Sequence, residues 1–171
     1  MIFTLIGMPG SGKSCIGRAI AGKLKMKHVD TDKLIERKYG KKLAELIAEY
    51  GNEGFSRIEE EMLLSIDDDN ILLSTGGSAV YSETAMEYLR SRGKLIYLYC
   101  GHKVLTERLG DLSRRGVVMK EGMTLRDLFE ERAPLYSKYA DVTVICDGHE
   151  YPKYQRAVIA AIKKQKRCDT K

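Results

Sequence analysis

A glycine-rich motif close to the first residue carries the clearest chemical signal in the 171-residue chain. Residues Gly7 to Ser14 spell GMPGSGKS and match the G-x-x-x-x-G-K-[ST] pattern. Gly10, Ser11 and Gly12 allow backbone N–H groups to face phosphate oxygens. Lys13 adds a point charge, and the Ser14 hydroxyl suits Mg²⁺. The motif therefore predicts a nucleoside triphosphate site that uses magnesium.

Other residues indicate which nucleotide is bound and which carboxylates lie near its metal. A guanine-specific site would require Asn-Lys-x-Asp, and neither Asn52 nor Asn70 is followed by lysine, so ATP is favoured over GTP. Asp30 closes the segment Lys-His-Val-Asp, and Asp32 follows two residues later. Alternate residues of an extended segment face the same side, so one carboxylate can support Mg²⁺ while the other takes a proton from a substrate hydroxyl. Asp30 or Thr31 is equally suited to cap the next helix.

These residues require a scaffold, and the apolar pattern predicts an α/β class. Short runs rich in Ile, Val, Leu and Tyr alternate with longer amphipathic stretches, as in parallel strands joined by helices. The predicted strands, about five in one sheet, are Ile2–Ile6, His28–Val29, Ile71–Ser74, Lys94–Tyr99 and Val142–Cys146. Helices are predicted to begin near Lys13, Lys33, Leu43, Glu53, Glu83, Lys103, Thr124 and Lys153.

The chain length predicts one domain over residues 1–171. The segment 31–69 is longer than a strand-to-strand connection needs, which suggests a substrate-binding lobe. The segment 110–122 contains three glycines and clustered charges, and we interpret it as a mobile lid, with an ordinary loop as the alternative.

Composition and charge exclude several classes of function. Hydrophobic residues make up 43% and charged residues 31%, which suits a globular domain. The net charge of +5 lies mostly in the tail 163–171, which holds five basic residues and one acidic residue. A charged tail of this kind is typical of a solvated helix end, so nucleic acid is not expected as a partner. No uninterrupted apolar stretch approaches the roughly 18 residues of a membrane span, so a membrane is not expected either. Four cysteines without paired spacing indicate a reducing compartment, so we expect a cytoplasmic protein.

Five ordered segments give the chain a resemblance to the shikimate kinase family over nearly its whole length. They are Gly7–Ser14, Asp30–Asp32, Gly54–Glu59, Ser74–Gly77 and Glu131–Tyr136. The resemblance implies a three-layer P-loop kinase fold with a five-stranded parallel sheet, a lid and a substrate-binding lobe. It also implies an enzyme that converts shikimate to shikimate 3-phosphate in aromatic amino acid biosynthesis, with ATP as cosubstrate and Mg²⁺, and we expect a monomer.

The resemblance also implies roles for particular residues. Asp32 matches the aspartate that contacts the substrate ring hydroxyls and is the candidate base, and Asp30 matches the magnesium-associated aspartate. Gly76 and Gly77 match the pair whose backbone lines the substrate site. Three arginines complete the set and are expected to bind the substrate carboxylate, the adenine and the transferring phosphoryl group: Arg132, Arg108 and Arg115, respectively.

The chain departs from the family pattern around the acceptor. Ser56 stands where a carboxylate-binding arginine is expected. Arg57 follows one residue later and is the substitute candidate for substrate contact if the helix is rewound, because one helical step rotates a side chain by about 100°. Ser78 replaces a third glycine, and Cys15, beside the nucleotide, replaces a threonine. The lid arginine Arg115 is followed by Gly-Val-Val where the family usually has proline.

Three functional hypotheses follow from these observations. The first is phosphorylation of shikimate. The second keeps the fold and ATP but changes the acceptor to a homoserine- or gluconate-type alcohol, as Ser56 suggests. The third is a nucleotide-binding module without catalysis, which the presence of Asp30, Asp32 and Arg132 argues against.

Overall fold

A computed structural model describes residues 1–110 and 116–168 of the chain. Five parallel strands form one sheet in the order β2-β3-β1-β4-β5. The strands are β1 (Ile2–Ile6), β2 (Lys27–Asp30), β3 (Ile71–Ser74), β4 (Gly93–Tyr99) and β5 (Val142–Ile145). All five strands match predicted positions within two residues at each end, and the expected parallel sheet is confirmed.

Seven α-helices accompany the sheet in the described ranges: α1 (Lys13–Ala21), α2 (Thr31–Tyr39), α3 (Leu43–Leu64), α4 (Glu83–Arg92), α5 (His102–Leu109), α6 (Leu125–Tyr139) and α7 (Tyr151–Cys168). The separate helices predicted near Leu43 and Glu53 are continuous in α3 except at Gly51, whose φ of 68° and ψ of 176° break the helical path. None of these helices is long and apolar enough to cross a membrane.

The helices cover both faces of the sheet and so make three layers. On one face, Phe3 and Leu5 of β1 pack with α1 and α7 through residues such as Ile16 and Val158. On the other face, alternate residues of β1 pack with α4, α5 and α6. This alternation follows from the strand geometry, in which successive side chains point to opposite faces. Because both faces are covered, β1 is an uninterrupted apolar segment and its five residues are buried.

A smaller apolar cluster joins α2 and α3 beside the sheet. It contains Ile35 of α2 and four residues of α3, and Val118 from the segment after α5 completes it. This cluster lies within the predicted lobe 31–69, apart from Val118. The first helix of the pair begins directly after β2, where the Asp30 side chain accepts a hydrogen bond of 3.3 Å from the Lys33 backbone N–H.

The strand order places the chemically active segments at one edge of the sheet. The central strand β1 leads into the glycine motif, β2 ends at Asp30, and β3 leads into Thr75 and Gly76. After α1 the chain forms β2 and β3 on one side of β1, and after α4 it forms β4 and β5 on the other side. In open parallel sheets, ligands bind outside the carboxyl ends of the strands at such a reversal.

Candidate active site

The glycine motif forms a loop that closes around the Lys13 side chain. Gly7, Gly10 and Gly12 have φ angles of +144°, +79° and +97°, which a residue with a side chain rarely adopts. The Lys13 ammonium donates hydrogen bonds to the carbonyls of Gly7 (2.6 Å) and Met8 (2.9 Å). Burial lowers the pKa of Lys13 to about 8, although Asp32 opposes this shift. The loop therefore presents a buried cation and the N-terminus of α1 to the same space.

A cavity of about 510 Å³ extends from this loop to α6. Most of the predicted site residues line it: Gly10, Gly12, Lys13, Ser14, Cys15, Asp32, Gly76, Gly77, Arg108 and Arg132. The Ser11 side chain is fully buried, and its hydroxyl has no hydrogen-bond partner within residues 1–110 and 116–168. Arg115 lies outside the described residues. Of the predicted lid 110–122, Gly116 to Val118 also line the cavity.

Three oxygen-bearing side chains that suit a metal lie together next to the loop. Ser14, Asp30 and Asp32 line a second cavity of about 300 Å³ beside the first, and Asp32 and Ser14 line both. Asp30 also caps α2. Its two suggested roles, helix cap and magnesium ligand, are therefore compatible. No group of three or more His, Cys, Asp or Glu side chains in the described ranges is arranged to hold a metal.

Arg108 connects three parts of the nucleotide end of the cavity. Its guanidinium donates to the carbonyls of Gly10 (3.3 Å) and Cys146 (3.2 Å) and to that of Gly148. It also lies 5.2 Å from the ring centroid of Tyr151, another residue of the cavity wall. Arg108 therefore holds the phosphate loop against the segment between β5 and α7.

Arg132 lies at the other end of the cavity and is completely buried. Its Nε donates to the Tyr81 hydroxyl at 3.0 Å, and its Nη2 donates to the Val118 carbonyl. The guanidinium also stacks on the Tyr81 ring at 4.8 Å. Its Nη1 has no hydrogen-bond partner among the described residues. A buried donor that makes no hydrogen bond costs free energy, so this nitrogen is suited to donate a hydrogen bond to an anionic group of a ligand.

Asp32 faces Glu59 of α3 across Gly76. A Cβ atom added at Gly76 would lie 2.0 Å from Glu59 Oε1 and 2.9 Å from Asp32 Oδ1. The two oxygens must therefore lie within about 5 Å of each other, a distance at which like charges raise each other's pKa. Burial and the neighbouring Asp30 raise the pKa of Asp32 to about 6. Gly76 is thus required here for close approach.

Glu59 closes the segment Gly54–Glu59 that supports the family resemblance, and it is the most important cavity residue to which the sequence analysis assigned no role. It is 2% exposed, lines the cavity, and accepts a 2.6 Å hydrogen bond at Oε2 from the Ser78 hydroxyl. Burial raises the pKa of Glu59 to about 7. Its signal was present in the sequence, since it shares the buried face of α3 with Phe55, Ile58 and Met62, where an unpaired carboxyl group is unexpected.

Ser56 and Arg57 both lie away from the large cavity. They line a smaller cavity of about 150 Å³, which shares Glu59 and Ser78 with the larger one. The side chain of Arg57 is exposed. The helix is not rewound here, because its only non-helical residue is Gly51. The structure therefore does not bring Arg57 to Arg132, and the position of the expected second arginine holds only the Ser56 hydroxyl.

Comparison with known proteins matches this arrangement to one family. A family model described as shikimate kinase matches residues 9–164. A shikimate kinase of Bacillus anthracis (strain A0248) is 36% identical over 135 residues, which cover 78% of this chain and 82% of that protein. One of Francisella tularensis subsp. novicida is 36% identical over 148 residues, 84% of each chain. The chain belongs to the shikimate kinase family.

Solved structures of the family have the same fold. Shikimate kinase from Acinetobacter baumannii in complex with shikimate has a TM-score of 0.88 and 28% identity, and the match covers 95% of this chain and 93% of that one. The enzyme from Aquifex aeolicus has a TM-score of 0.80 and 26% identity, with 96% and 97% covered. These matches confirm the three-layer P-loop kinase fold.

Family membership also confirms the predicted class, a small-molecule kinase that uses ATP and Mg²⁺.

The residues at the phosphate end of the cavity are suited to bind ATP and Mg²⁺. The loop glycines leave room for phosphate oxygens, and Lys13 and the buried Ser11 hydroxyl lie within the same loop. Ser14, Asp30 and Asp32 supply oxygen ligands beside it. Mg²⁺ takes one or two protein carboxylates and completes its shell with phosphate and water, so this donor set is sufficient.

Proposed function

We propose that this kinase transfers the γ-phosphoryl group of ATP to shikimate and forms shikimate 3-phosphate. The observation that carries the proposal is that Nη1 of buried Arg132 has no hydrogen-bond partner in the described part of the chain, in a cavity whose other end is the phosphate loop. A ligand that places a carboxylate on Arg132 and a hydroxyl beside Asp32 fits this cavity. Shikimate has both groups, and a planar guanidinium suits a carboxylate.

The chain's own residues can then be assigned to steps of the transfer. Asp32 orients the acceptor hydroxyl and accepts its proton as the oxygen attacks. Lys13 and the loop N–H groups hold the phosphates, and bound Mg²⁺ supplies further charge neutralisation. Arg108 organises the adenine end, and Arg115 is assigned by family resemblance to the transferring phosphoryl group. Of the predicted lid 110–122, the described residues Gly116 to Val118 line the cavity and would help to exclude water, which competes with the alcohol as acceptor.

The direct test is ADP release with MgATP and a panel of acceptors. We expect rapid release with shikimate and only background release with homoserine, gluconate or no acceptor. Product analysis by mass spectrometry should give shikimate 3-phosphate. Release with another acceptor alone would contradict the proposed substrate and leave the kinase class intact. ATP binding without any phosphorylated product would instead support a non-catalytic module.

Restoring an arginine at position 56 should strengthen shikimate binding. Ser56 lines the small cavity next to Glu59 and Ser78, so a longer side chain has space to extend toward the acceptor. A charged hydrogen bond contributes about 1.5 to 3 kcal/mol, so Ser56→Arg is expected to lower the KM for shikimate at least tenfold. Steady-state kinetics measures this, with Ser56→Met as a control for bulk without charge. An unchanged or higher KM in the arginine variant would mean that the pocket binds the carboxylate in another way.

We further propose that the enzyme acts in the cytoplasm as a monomer on small molecules, with neither nucleic acid nor a membrane as partner. Among the side chains that the structure describes, the thiols of Cys15, Cys100 and Cys146 form no disulfide, and disulfides are rare in reducing compartments.

A further inference from the structure

Tyr81 makes two different contacts with the buried guanidinium of Arg132. Its hydroxyl accepts a hydrogen bond of 3.0 Å from Nε, and its ring centroid lies 4.8 Å from the guanidinium carbon. On the other side, Nη2 donates to the Val118 carbonyl. Both hydrogen bonds of the guanidinium in the described part of the chain therefore go to uncharged oxygens. A buried cation held in this way still favours a negatively charged partner, which a ligand can supply.

The Tyr81 hydroxyl is held in place by a further residue of α6. It donates a hydrogen bond to Oε1 of Glu131, the residue before Arg132. Donation to a carboxylate polarises the hydroxyl, and its oxygen then becomes a stronger acceptor for Arg132 Nε. The charge of Glu131 thus acts on the guanidinium through Tyr81, and the three side chains form a chain of two hydrogen bonds.

These contacts determine which guanidinium nitrogen faces the large cavity. Nε and Nη2 are occupied, whereas Nη1 has no partner among the described residues. Nη1 lies beside Gly77 of the cavity wall, because a Cβ atom added to that glycine would be 3.2 Å from it. The other cations that line this cavity within the described ranges, Lys13 and Arg108, belong to its nucleotide end. Binding of an anionic group at the acceptor end therefore depends on the orientation of one arginine.

We propose that Tyr81 is a positioning residue for the acceptor, which fixes Arg132 so that Nη1 is presented to the substrate carboxylate. The guanidinium is then oriented before the substrate arrives, and binding does not have to restrict a freely rotating side chain. The inference rests on the proposed function, because it requires an acceptor that carries a carboxylate. It adds Tyr81, with Glu131 behind it, to the residues that determine the affinity for that acceptor.

Tyr81→Phe tests the proposal, because phenylalanine keeps the ring and removes only the hydroxyl. Tyr81 is 39% exposed, so this change leaves the packing of the core intact. One hydrogen bond to a charged group is lost, and we expect the KM for shikimate to rise about tenfold. The kcat and the KM for ATP should stay within about threefold of the unsubstituted enzyme, since the phosphate loop is untouched. Tyr81→Leu also removes the ring and should raise the KM for shikimate about a hundredfold.

The matched control is Tyr50→Phe. Tyr50 is another exposed tyrosine, and it lies on α3 outside the wall of the large cavity. Its loss of a hydroxyl should leave the KM for shikimate unchanged.

The methyl ester of shikimate separates positioning from a merely structural role. The ester keeps the ring and its hydroxyls but lacks the negative charge that Arg132 Nη1 would bind. Tyr81→Phe should therefore leave the inhibition constant of the ester within about threefold, while the KM for shikimate rises about tenfold. A general disturbance of the pocket would weaken both ligands by the same factor, and that result overturns the proposal.

A double variant gives an independent measurement without the ester. In an Arg132→Met background no guanidinium remains to be oriented, so adding Tyr81→Phe should change the KM for shikimate less than about twofold. A tenfold rise in that background overturns the proposal, as does a single Tyr81→Phe variant whose KM stays within about threefold of the unsubstituted enzyme. Failure of the proposed function is distinct from both, because the unsubstituted enzyme itself would then release no ADP in response to shikimate.

Discussion

Replacing Asp32 with asparagine is expected to lower kcat for shikimate phosphorylation by about three orders of magnitude. Asparagine has nearly the same shape and can still bind a hydroxyl, but it cannot accept the proton that the attacking oxygen loses. General-base catalysis contributes about 10² to 10⁴ in rate, and this side chain lies where the phosphate loop meets the acceptor end of the cavity. Coupled ADP release measures kcat, and titration calorimetry measures nucleotide binding, which should remain close to that of the unsubstituted enzyme.

A matched control removes a carboxylate of the same type away from the cavity. Asp68 is exposed and pairs with Lys27, so Asp68→Asn should leave kcat unchanged. If Asp32→Asn retained kcat within about tenfold, Asp32 would not be the base. Glu59 would then be the next candidate, since among the described residues it is the other carboxyl group of the cavity wall. A large fall in nucleotide affinity would instead indicate that Asp32 acts through the metal.

The phosphate end of the site could be predicted from the sequence because its signals are local. The strand, the glycine motif and the following helix occupy the consecutive residues 2–21, so their spacing alone specifies the loop. The strand β2 was harder to delimit, because only Val29 of its four residues is buried and its apolar pattern is short.

The acceptor end could be predicted only in part because its residues meet through long-range packing. The sequence shows that Ser56 stands in place of an arginine, but it does not show what compensates for the change. Glu59 and Ser78 are 19 residues apart and are joined by a hydrogen bond only because α3 packs beside the loop after β3. Arg132 likewise meets Tyr81 across 51 residues. Such contacts depend on the strand order, which no local pattern specifies.

The closeness of Asp32 and Glu59 to the backbone leads to a second large expected effect. Gly76→Ala should lower kcat/KM for shikimate about a hundredfold, because the new methyl group would overlap Glu59 Oε1 and press on Asp32 Oδ1. Moving Glu59 would break its hydrogen bond to Ser78, and moving Asp32 would misplace the base. A displacement of about 1 Å at a reacting group costs on the order of 10² in rate. Steady-state kinetics with varied shikimate measures the effect.

The matched control is Gly22→Ala, at a glycine with helical φ and ψ of −60° and −38° and no atom within 4 Å of the added methyl group. Its kinetics should equal those of the unsubstituted enzyme, and its thermal midpoint should be the same or slightly higher, since alanine reduces the freedom of the unfolded chain. Gly76→Ala should keep its affinity for ADP, because the phosphate loop is untouched. If it also kept kcat/KM within about threefold, then Glu59 and Asp32 could relax without loss, and the tight packing over Gly76 would not be what positions the substrate.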